Sequence, residues 1–391
     1  IYMDKVTISD AVKYIGVDDT DLDLFEGQYI IPNGVSYNSY VILDEKTAVM
    51  DTVDARKSKE WFENLKAALD GRTVDYLVIS HLEPDHASNV KALADAYPDA
   101  KLVLSVKAKA MLPQFFDIEN LEERAIAVKE GDTLELGAHK LTFVMAPMVH
   151  WPEVMVEYES TEKILFSADG FGKFGALSAD EDWTCEARRY YFNIVGKYGA
   201  PVQTLLKKAA GLDIQTICPL HGPILKENLE YYIDKYNTWS SYEPEDEGVL
   251  VASASIHGNT RKAAEKMAEI LKEKGAAKVA FTDLTRDDMA EAVEDAFRYS
   301  KLVLCAASYD GGVFPPMEDF LNRLAHKSYQ KRKVAMIENG SWAPTAKRAM
   351  TGMLEGMKNL SICENNVTIM SVMKDKDIAA METLADELLS E

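Results

Sequence analysis

From Gly248 onward the chain alternates apolar strands with amphipathic helices, and that pattern leaves few folds open. GVLVASAS (248–255) is a near-continuous apolar run, as a strand buried on both faces requires. The next segment puts Ala264, Met267, Ala268 and Leu271 on one face at helical spacing and stops at Gly275. AKVAFTDL, KLVLCAAS, KVAMIENG and NVTIMSVM read as further strands. DDMAEAVEDAF, MEDFLNRLAHK, a stretch near 344–358 and the last residues read as helices between and after them. Strands regularly separated by helices predict a doubly wound parallel sheet.

The preceding part follows a different grammar. SYNSYVILD (36–44) and TAVMDTVD (47–54) read as strands joined by a short turn at Glu45-Lys46, SKEWFENLKAALDG as a helix ending at Gly71, and DYLVIS as a buried strand. Antiparallel strands followed by strand–helix units predict sheets packed with helices outside. The seam is SSYEPEDEG (240–248), acidic and carrying Pro244, so domains are expected at 1–244 and 245–391. A length of 391 residues suits two domains.

The first part concentrates metal-binding side chains. HLEPDH (81–86) follows DYLVIS, and Pro84 stops the strand and keeps Glu83 out of helical geometry. His81, Glu83 and Asp85 then project at a period of two, with His86 beside them. Three more candidates stand just past a strand, among Gly and Pro: His150 after LTFVM, Asp169 after KILFS, and His221 after IQTIC. If those strands share a sheet, their ends converge. Four imidazoles and three carboxylates exceed what one metal takes and suit two metals bridged by a carboxylate. Such a set can work as a hydrolytic centre or a redox centre. His139 and His326 lack this context and are expected at the surface or in caps.

The second part carries a phosphate cradle. In SASIHGNT (253–260), Ser253 closes the first strand, Ser255, Asn259 and Thr260 offer side-chain donors, and Gly258 lets backbone approach a ligand. Ile256 and His257 complete the loop, and the helix that follows adds amides and a positive dipole end. The loops after the third and fourth strands bring Ser308, Tyr309, Asp310, Gly311 and Gly312, then Asn339, Gly340, Ser341 and Trp342. Ligands of open α/β sheets bind at such strand ends, and Tyr309 and Trp342 are aromatics available for stacking.

HLEPDH resembles the HxHxDH loop of the metallo-β-lactamase fold, with Glu83 where those hydrolases carry their second histidine. A carboxylate is a harder ligand than imidazole and shifts preference from zinc toward iron or manganese. SIHGNT resembles the FMN-phosphate loop of flavodoxins. HLEPDH, MVHWPE, LFSADGFG, CPLHGP, HGNT and ENGSWAP together, in that order, resemble the flavodiiron proteins over nearly the whole chain. The resemblance implies a metallo-β-lactamase-like αββα sandwich followed by a flavodoxin-like domain, as in the minimal two-domain class. It implies FMN and two iron ions per chain. His81, Glu83 and His150 would hold one iron, Asp85, His86 and His221 the other, and Asp169 would bridge; in some members the counterpart of His86 is turned away. It further implies a head-to-tail homodimer, singly or as a dimer of dimers, and reduction of dioxygen to water or nitric oxide to nitrous oxide. Tyr190 or Tyr191 would line the pocket and donate a proton, or pack in the core. The rival readings are a dizinc hydrolase with a flavodoxin-like appendage and an electron-transfer or sensing module.

Composition narrows the partners. A formal charge of −21 with no basic run argues against nucleic acid and anionic lipid. No apolar run approaches a membrane span, and the first residues lack a signal-peptide pattern. Cys185, Cys218, Cys305 and Cys363 form no CxxC pair, so an iron–sulfur or rubredoxin centre is not expected within the sequence, and Cys218 and Cys305 are expected as buried free thiols. The cysteine usage suits a reducing cytoplasm. The electron donor is then expected to be external: a rubredoxin, a reduced deazaflavin or a flavin reductase.

Overall fold

A computed structural model describes residues 2–391. The chain forms two compact units, Ile1–Tyr191 with Ala200–Asn237, and Phe192–Gly199 with Thr238–Glu391.

The first unit is built on two sheets. One holds six strands side by side in chain order: β1 (Val12–Tyr14), β2 (Tyr40–Ile42), β3 (Ala48–Met50), β4 (Tyr76–Ile79), β5 (Lys101–Ser105) and β6 (Ala125–Val128). The first three are antiparallel neighbours, with Tyr40 opposite Met50 in the hairpin, and β3 to β6 run parallel. The other sheet orders β7 (Thr133–Glu135), β8 (Lys140–Met145), β9 (Met155–Glu159), β10 (Ile164–Phe166) and β11 (Thr216–Cys218). It is antiparallel up to β10, and β11 joins β10 in parallel.

One buried cluster draws Ile42, Met50, Val78 and Val103 from the first sheet and Phe143, Met155, Phe166 and Cys218 from the second. The sheets therefore pack face to face, which is why inward positions are apolar on both. The helix Ser58–Leu69 buries Trp61, Leu65 and Leu69, and Val90–Ala96 buries Val90, Leu93 and Ala94. Strands at 40–42 and 48–50 are shorter than the apolar runs that announce them. Asp51, in the left-handed region, ends the second.

In the second unit, β12 (Asp246–Ala254), β13 (Val279–Asp283), β14 (Tyr299–Tyr309), β15 (Lys333–Asn339) and β16 (Val367–Ile369) are all parallel. Their spatial order is β13–β12–β14–β15–β16, which makes the gap between β12 and β14 the topological switch point. Helix Asn259–Glu273 presents Ala264, Met267, Ala268 and Leu271 to a cluster with Val249, Val303 and Ile337. The expected helix near 344–358 is Ala346–Leu354. Two short pairings escape the sequence reading: Gly312–Val313 folds back on β14, and Ser361–Ile362 pairs with β15. Cys218 and Cys305 are free and buried. Among the described residues no helix is long and apolar enough to cross a membrane.

Candidate functional site

The metal-type side chains meet at one edge of the sandwich. His81 leaves the carboxyl end of β4, and the peptide before it is tied across the sheets, Met155 donating its N–H to the Ser80 carbonyl at 3.2 Å. Glu83 is extended, at φ −58° and ψ 136°, as the residue before a proline must be. Pro84 then opens a helical turn, Pro84–Ala87, for which its fixed φ is suited. Asp85 and His86 therefore project from a helix, not from the continued period of two that the sequence suggests.

The other three side chains come from the second sheet. Strands β8, β10 and β11 all run toward this edge, and His150, Asp169 and His221 follow them. The loop at His221 is braced from the β2 side: Asn38 donates to the carbonyls of Pro219 at 2.8 Å and Gly222 at 2.7 Å, and the Tyr40 hydroxyl donates to Pro219 at 2.6 Å. Gly222 has φ +83°, and a Cβ there would lie 2.8 Å from the Lys173 side chain, so this turn needs glycine.

All seven side chains come together, in two groups. His81, Glu83, His150 and Asp169 form the first, and Asp85, His86 and His221 the second. In the first, Glu83 Oε2 stands 3.1 Å from His81 Nε2 and 3.0 Å from His150 Nε2. Asp169 Oδ2 is 3.4 and 3.2 Å from the same two nitrogens. In the second, Asp85 Oδ2 is 3.3 Å from His86 Nε2 and 3.2 Å from His221 Nε2. Asp169 Oδ1 is 3.4 and 3.7 Å from that pair. One carboxylate thus gives one oxygen to each group. His86 Nε2 points inward, 3.0 Å from His221 Nε2.

This packing needs a cation. Both oxygens of Asp85, and Asp169 Oδ1, are buried with no hydrogen-bond partner. Orphaned buried anionic oxygens are costly unless paired or on a metal. The titration directions express the same crowding. Burial, with the charges of Glu83 and Asp169, pushes Asp85 up to about 7. At Asp169 burial is outweighed by the His150 hydrogen bond and the His81 charge, and its carboxyl is held well below its usual value. At His150 burial is likewise outweighed, by Asp169 and Glu83, and its pKa rises to about 9. His221 is lowered by burial. The residues present fit two metal ions.

The tyrosines part company. Tyr190 is buried, with its ring 5.5 Å from that of His221. Burial and then the Asp169 charge raise its pKa well above the ordinary value. Tyr191 is also buried, but its ring packs on Tyr236 at 5.2 Å. Sequence reasoning missed two carboxyls here. Glu26, on the turn after Phe25, hydrogen-bonds Glu83, and the protein around its carboxyl, then the Glu83 charge, push it up to about 7. Glu153 accepts from His81. Glu153 stands inside MVHWPE and could have been singled out; Glu26 has no local signal. His139, expected at the surface or in a cap, is buried between Asp44 and Glu162.

The second unit has a cleft of about 610 Å³ at the carboxyl ends of β12, β14 and β15. That is the size of a small-molecule site. Ser255, Ile256, His257, Asn259, Thr260, Ser308, Tyr309, Asp310, Gly311, Asn339, Gly340, Ser341 and Trp342 line it. Gly258 lies within the first of these loops at φ +102°, with open space where a Cβ would sit, and its N–H donates to the Ser255 hydroxyl at 2.9 Å. Ser253 is fully buried in β12, and Gly312 pairs with Tyr309 across the turn; neither lines the cleft. The Ser308 hydroxyl accepts the amides of Thr345 at 2.8 Å and Ala346 at 3.1 Å, so it also organises the start of the next helix. Thr345 and Ser371 line the cleft without having been singled out. Ser371 follows the fifth strand, where the strand-end rule could have found it. Trp342 is 89 % exposed and Tyr309 45 %, leaving two aromatic faces on the cleft for a planar ligand.

Known proteins resemble this chain across both units. Residues 35–222 match the family described as ODP family beta lactamase. An uncharacterised protein of Methanocaldococcus jannaschii is 34 % identical over 274 residues, covering 68 % of each chain. The anaerobic nitric oxide reductase flavorubredoxin of Vibrio vulnificus is 28 % identical over 349 residues, 86 % of this chain and 70 % of that one. The solved structure of rubredoxin oxygen:oxidoreductase from Desulfovibrio gigas superposes with a TM-score of 0.89 at 26 % identity, covering 98 % of this chain and 97 % of the other. With a lactamase-type sandwich, a parallel five-strand domain and relatives aligned across both, the chain belongs to the flavodiiron proteins.

Proposed function

We propose that the protein is an oxidoreductase that reduces dioxygen to water, nitric oxide to nitrous oxide, or both, at a diiron centre supplied by FMN. The observation that carries this reading is Asp169, whose two oxygens face two separate groups of ligand-type side chains. We assign metal binding to the domain expected at 1–244 and FMN binding to that expected at 245–391, although the compact units divide at Asn237–Thr238 and place Phe192–Gly199 with the second. His81, Glu83 and His150 would hold one iron, Asp85, His86 and His221 the other, with Asp169 offering one oxygen to each. Ser255, Asn259, Thr260 and the amides of the 256–260 loop would hold the FMN phosphate, and Tyr309 and Trp342 would offer faces for its ring. When bound, FMN and the iron pair supply the electrons, two from the flavin and one from each iron.

The chain's own residues set the conditions for that chemistry. Balanced reduction takes four electrons and four protons for dioxygen to give two waters. Two nitric oxides take two of each to give nitrous oxide and water. Three carboxylates beside four imidazoles offset the charge of an oxidised metal pair. Burial of His81, His86 and His221 keeps bulk water from the ligand nitrogens. Tyr190 keeps its proton through the neutral range and holds it beside His221.

A dizinc hydrolase is not favoured: the named relatives are oxidoreductases, and hydrolysis has no use for the second unit's cleft. We further propose a homodimer with head-to-tail arrangement, a rubredoxin-type external donor, and a cytoplasmic location. The name of the D. gigas relative supports the donor. The test is anaerobic reduction followed by addition of either gas. Reoxidation without stoichiometric peroxide is expected; stoichiometric peroxide, or no reoxidation, overturns the reading.

A further inference from the structure

The two groups of ligand-type side chains differ in what stands behind their imidazoles. His81 is fully buried, and its Nδ1 lies 2.8 Å from Glu153 Oε1. The same oxygen accepts the backbone N–H of Leu82 at 2.8 Å. Glu153 is itself 1 % exposed, and the Ser105 hydroxyl, at the end of β5, donates to its backbone carbonyl at 2.7 Å. Its other carboxylate oxygen, Oε2, is buried without a hydrogen-bond partner. In the second group, His221 Nδ1 donates to the neutral carbonyl of Ser36 at 2.7 Å, and His86 Nδ1 is buried with no partner.

We propose that Glu153 is a positioning residue that makes the two metal positions unequal. A carboxylate accepting from Nδ1 keeps a proton on that nitrogen, so Nε2, which faces Glu83 and Asp169, is the nitrogen left to bind a metal. It also raises the basicity of the ring as a ligand. Behind the first position stands a full negative charge; behind the second stand a peptide dipole and a bare ring. The first position therefore binds its metal more tightly and stabilises the more oxidised ion. Its shared acceptor, Oε1, also ties ring rotation to the start of the HLEPDH loop, so orientation and charge are set by one atom.

This inference rests on reading the cluster as a dinuclear metal site, but not on the identity of the metal. The test uses the full-length protein stripped of metal and titrated with cobalt(II), followed by its visible absorption. Iron-loaded protein is taken through a redox titration in parallel. Glu153→Gln is the informative variant: it is nearly isosteric and still accepts from Nδ1 and Leu82, but carries no charge. One of two cobalt equivalents is expected to weaken by about 10–100-fold, the range for loss of such outer partners. The other is expected to hold, and the lower of the two reduction potentials to move upward. Glu153→Asp keeps the charge and is expected to recover part of the difference. Equal affinities for both equivalents in wild type, or unchanged affinities and potentials in a folded Glu153→Gln protein, overturn the proposal. Cobalt binding that behaves as expected in a protein that never takes up iron would refute the diiron reading and leave Glu153 in its role.

Discussion

The metal cluster and the cleft of the second unit solve opposite problems. The cluster crowds seven ionisable side chains into a buried volume, where orphaned oxygens and displaced titrations leave it incomplete without cations. The cleft is lined by the loops that follow the strands, with several hydroxyls and two exposed aromatic side chains among them. A side-chain site depends on residue identity, and one substitution changes its chemistry. A backbone site depends on where strands end and on a few φ angles, and most single substitutions leave it standing.

That contrast can be broken from either side. The largest effect is expected from Asp169→Ala, which removes an oxygen from both groups at once. Metal content should fall below one ion per chain, and gas reduction should fall by more than about 100-fold, beyond the loss of an outer-shell partner. FMN content should be unchanged, as checked by absorbance after heat release. Glu83→His should come next, swinging the iron-to-zinc ratio toward zinc by about tenfold, or roughly 1.4 kcal/mol, in competition loading. Its readout is elemental analysis.

On the cleft side, Gly258→Ala places a side chain at φ +102°, where L residues are strained by roughly 1–2 kcal/mol. FMN affinity should weaken correspondingly in a fluorescence titration, with metal content intact. Trp342→Ala should change thermal stability by less than about 0.5 kcal/mol, because its side chain is already in water. It should still cost about 0.5–1.5 kcal/mol of FMN binding through lost stacking.

The smallest effect is at His139, away from both sites. Its Nδ1 and Nε2 lie 2.7 and 2.6 Å from Asp44 and Glu162, and these carboxylates raise its pKa against the pull of burial. A raised value in the folded state means the imidazolium stabilises fully below about pH 6.5 and is lost as pH climbs through the folded pKa. His139→Gln should therefore lower the melting temperature at pH 6, and the gap to wild type should close in alkaline buffer.

The same contrast decides what the sequence could reveal. His81, Glu83, Asp85, His86, His150, Asp169 and His221 could be picked out because each chemistry-bearing residue stands just past an apolar run, and runs that end at one sheet edge bring their followers together. The helical turn at Pro84 was not legible, since six residues with a proline fit a loop equally well. Glu153 stood in a motif that was noticed, but its partner lies 72 positions away, so its role could not be read from the motif alone. Glu26 was hidden because its side chain reaches Glu83 from a distant turn. In the second unit the strand–helix alternation was plain, and the loops at its strand ends followed from it. Ser253 and Gly312 stand outside the residues that line the cleft, one buried in the strand and the other in the turn pairing. His139 was misread because burial comes from the partners Asp44 and Glu162, not from its neighbours.

The most direct test of the account is elemental analysis with flavin quantitation on protein purified without added metal, followed by iron reconstitution of any sample that lacks it. The account predicts about two iron ions and one FMN per chain, from the two groups that share Asp169 and the strand-end cleft of the second unit. Two zinc ions that iron cannot replace, in a chain that binds no flavin, would contradict it.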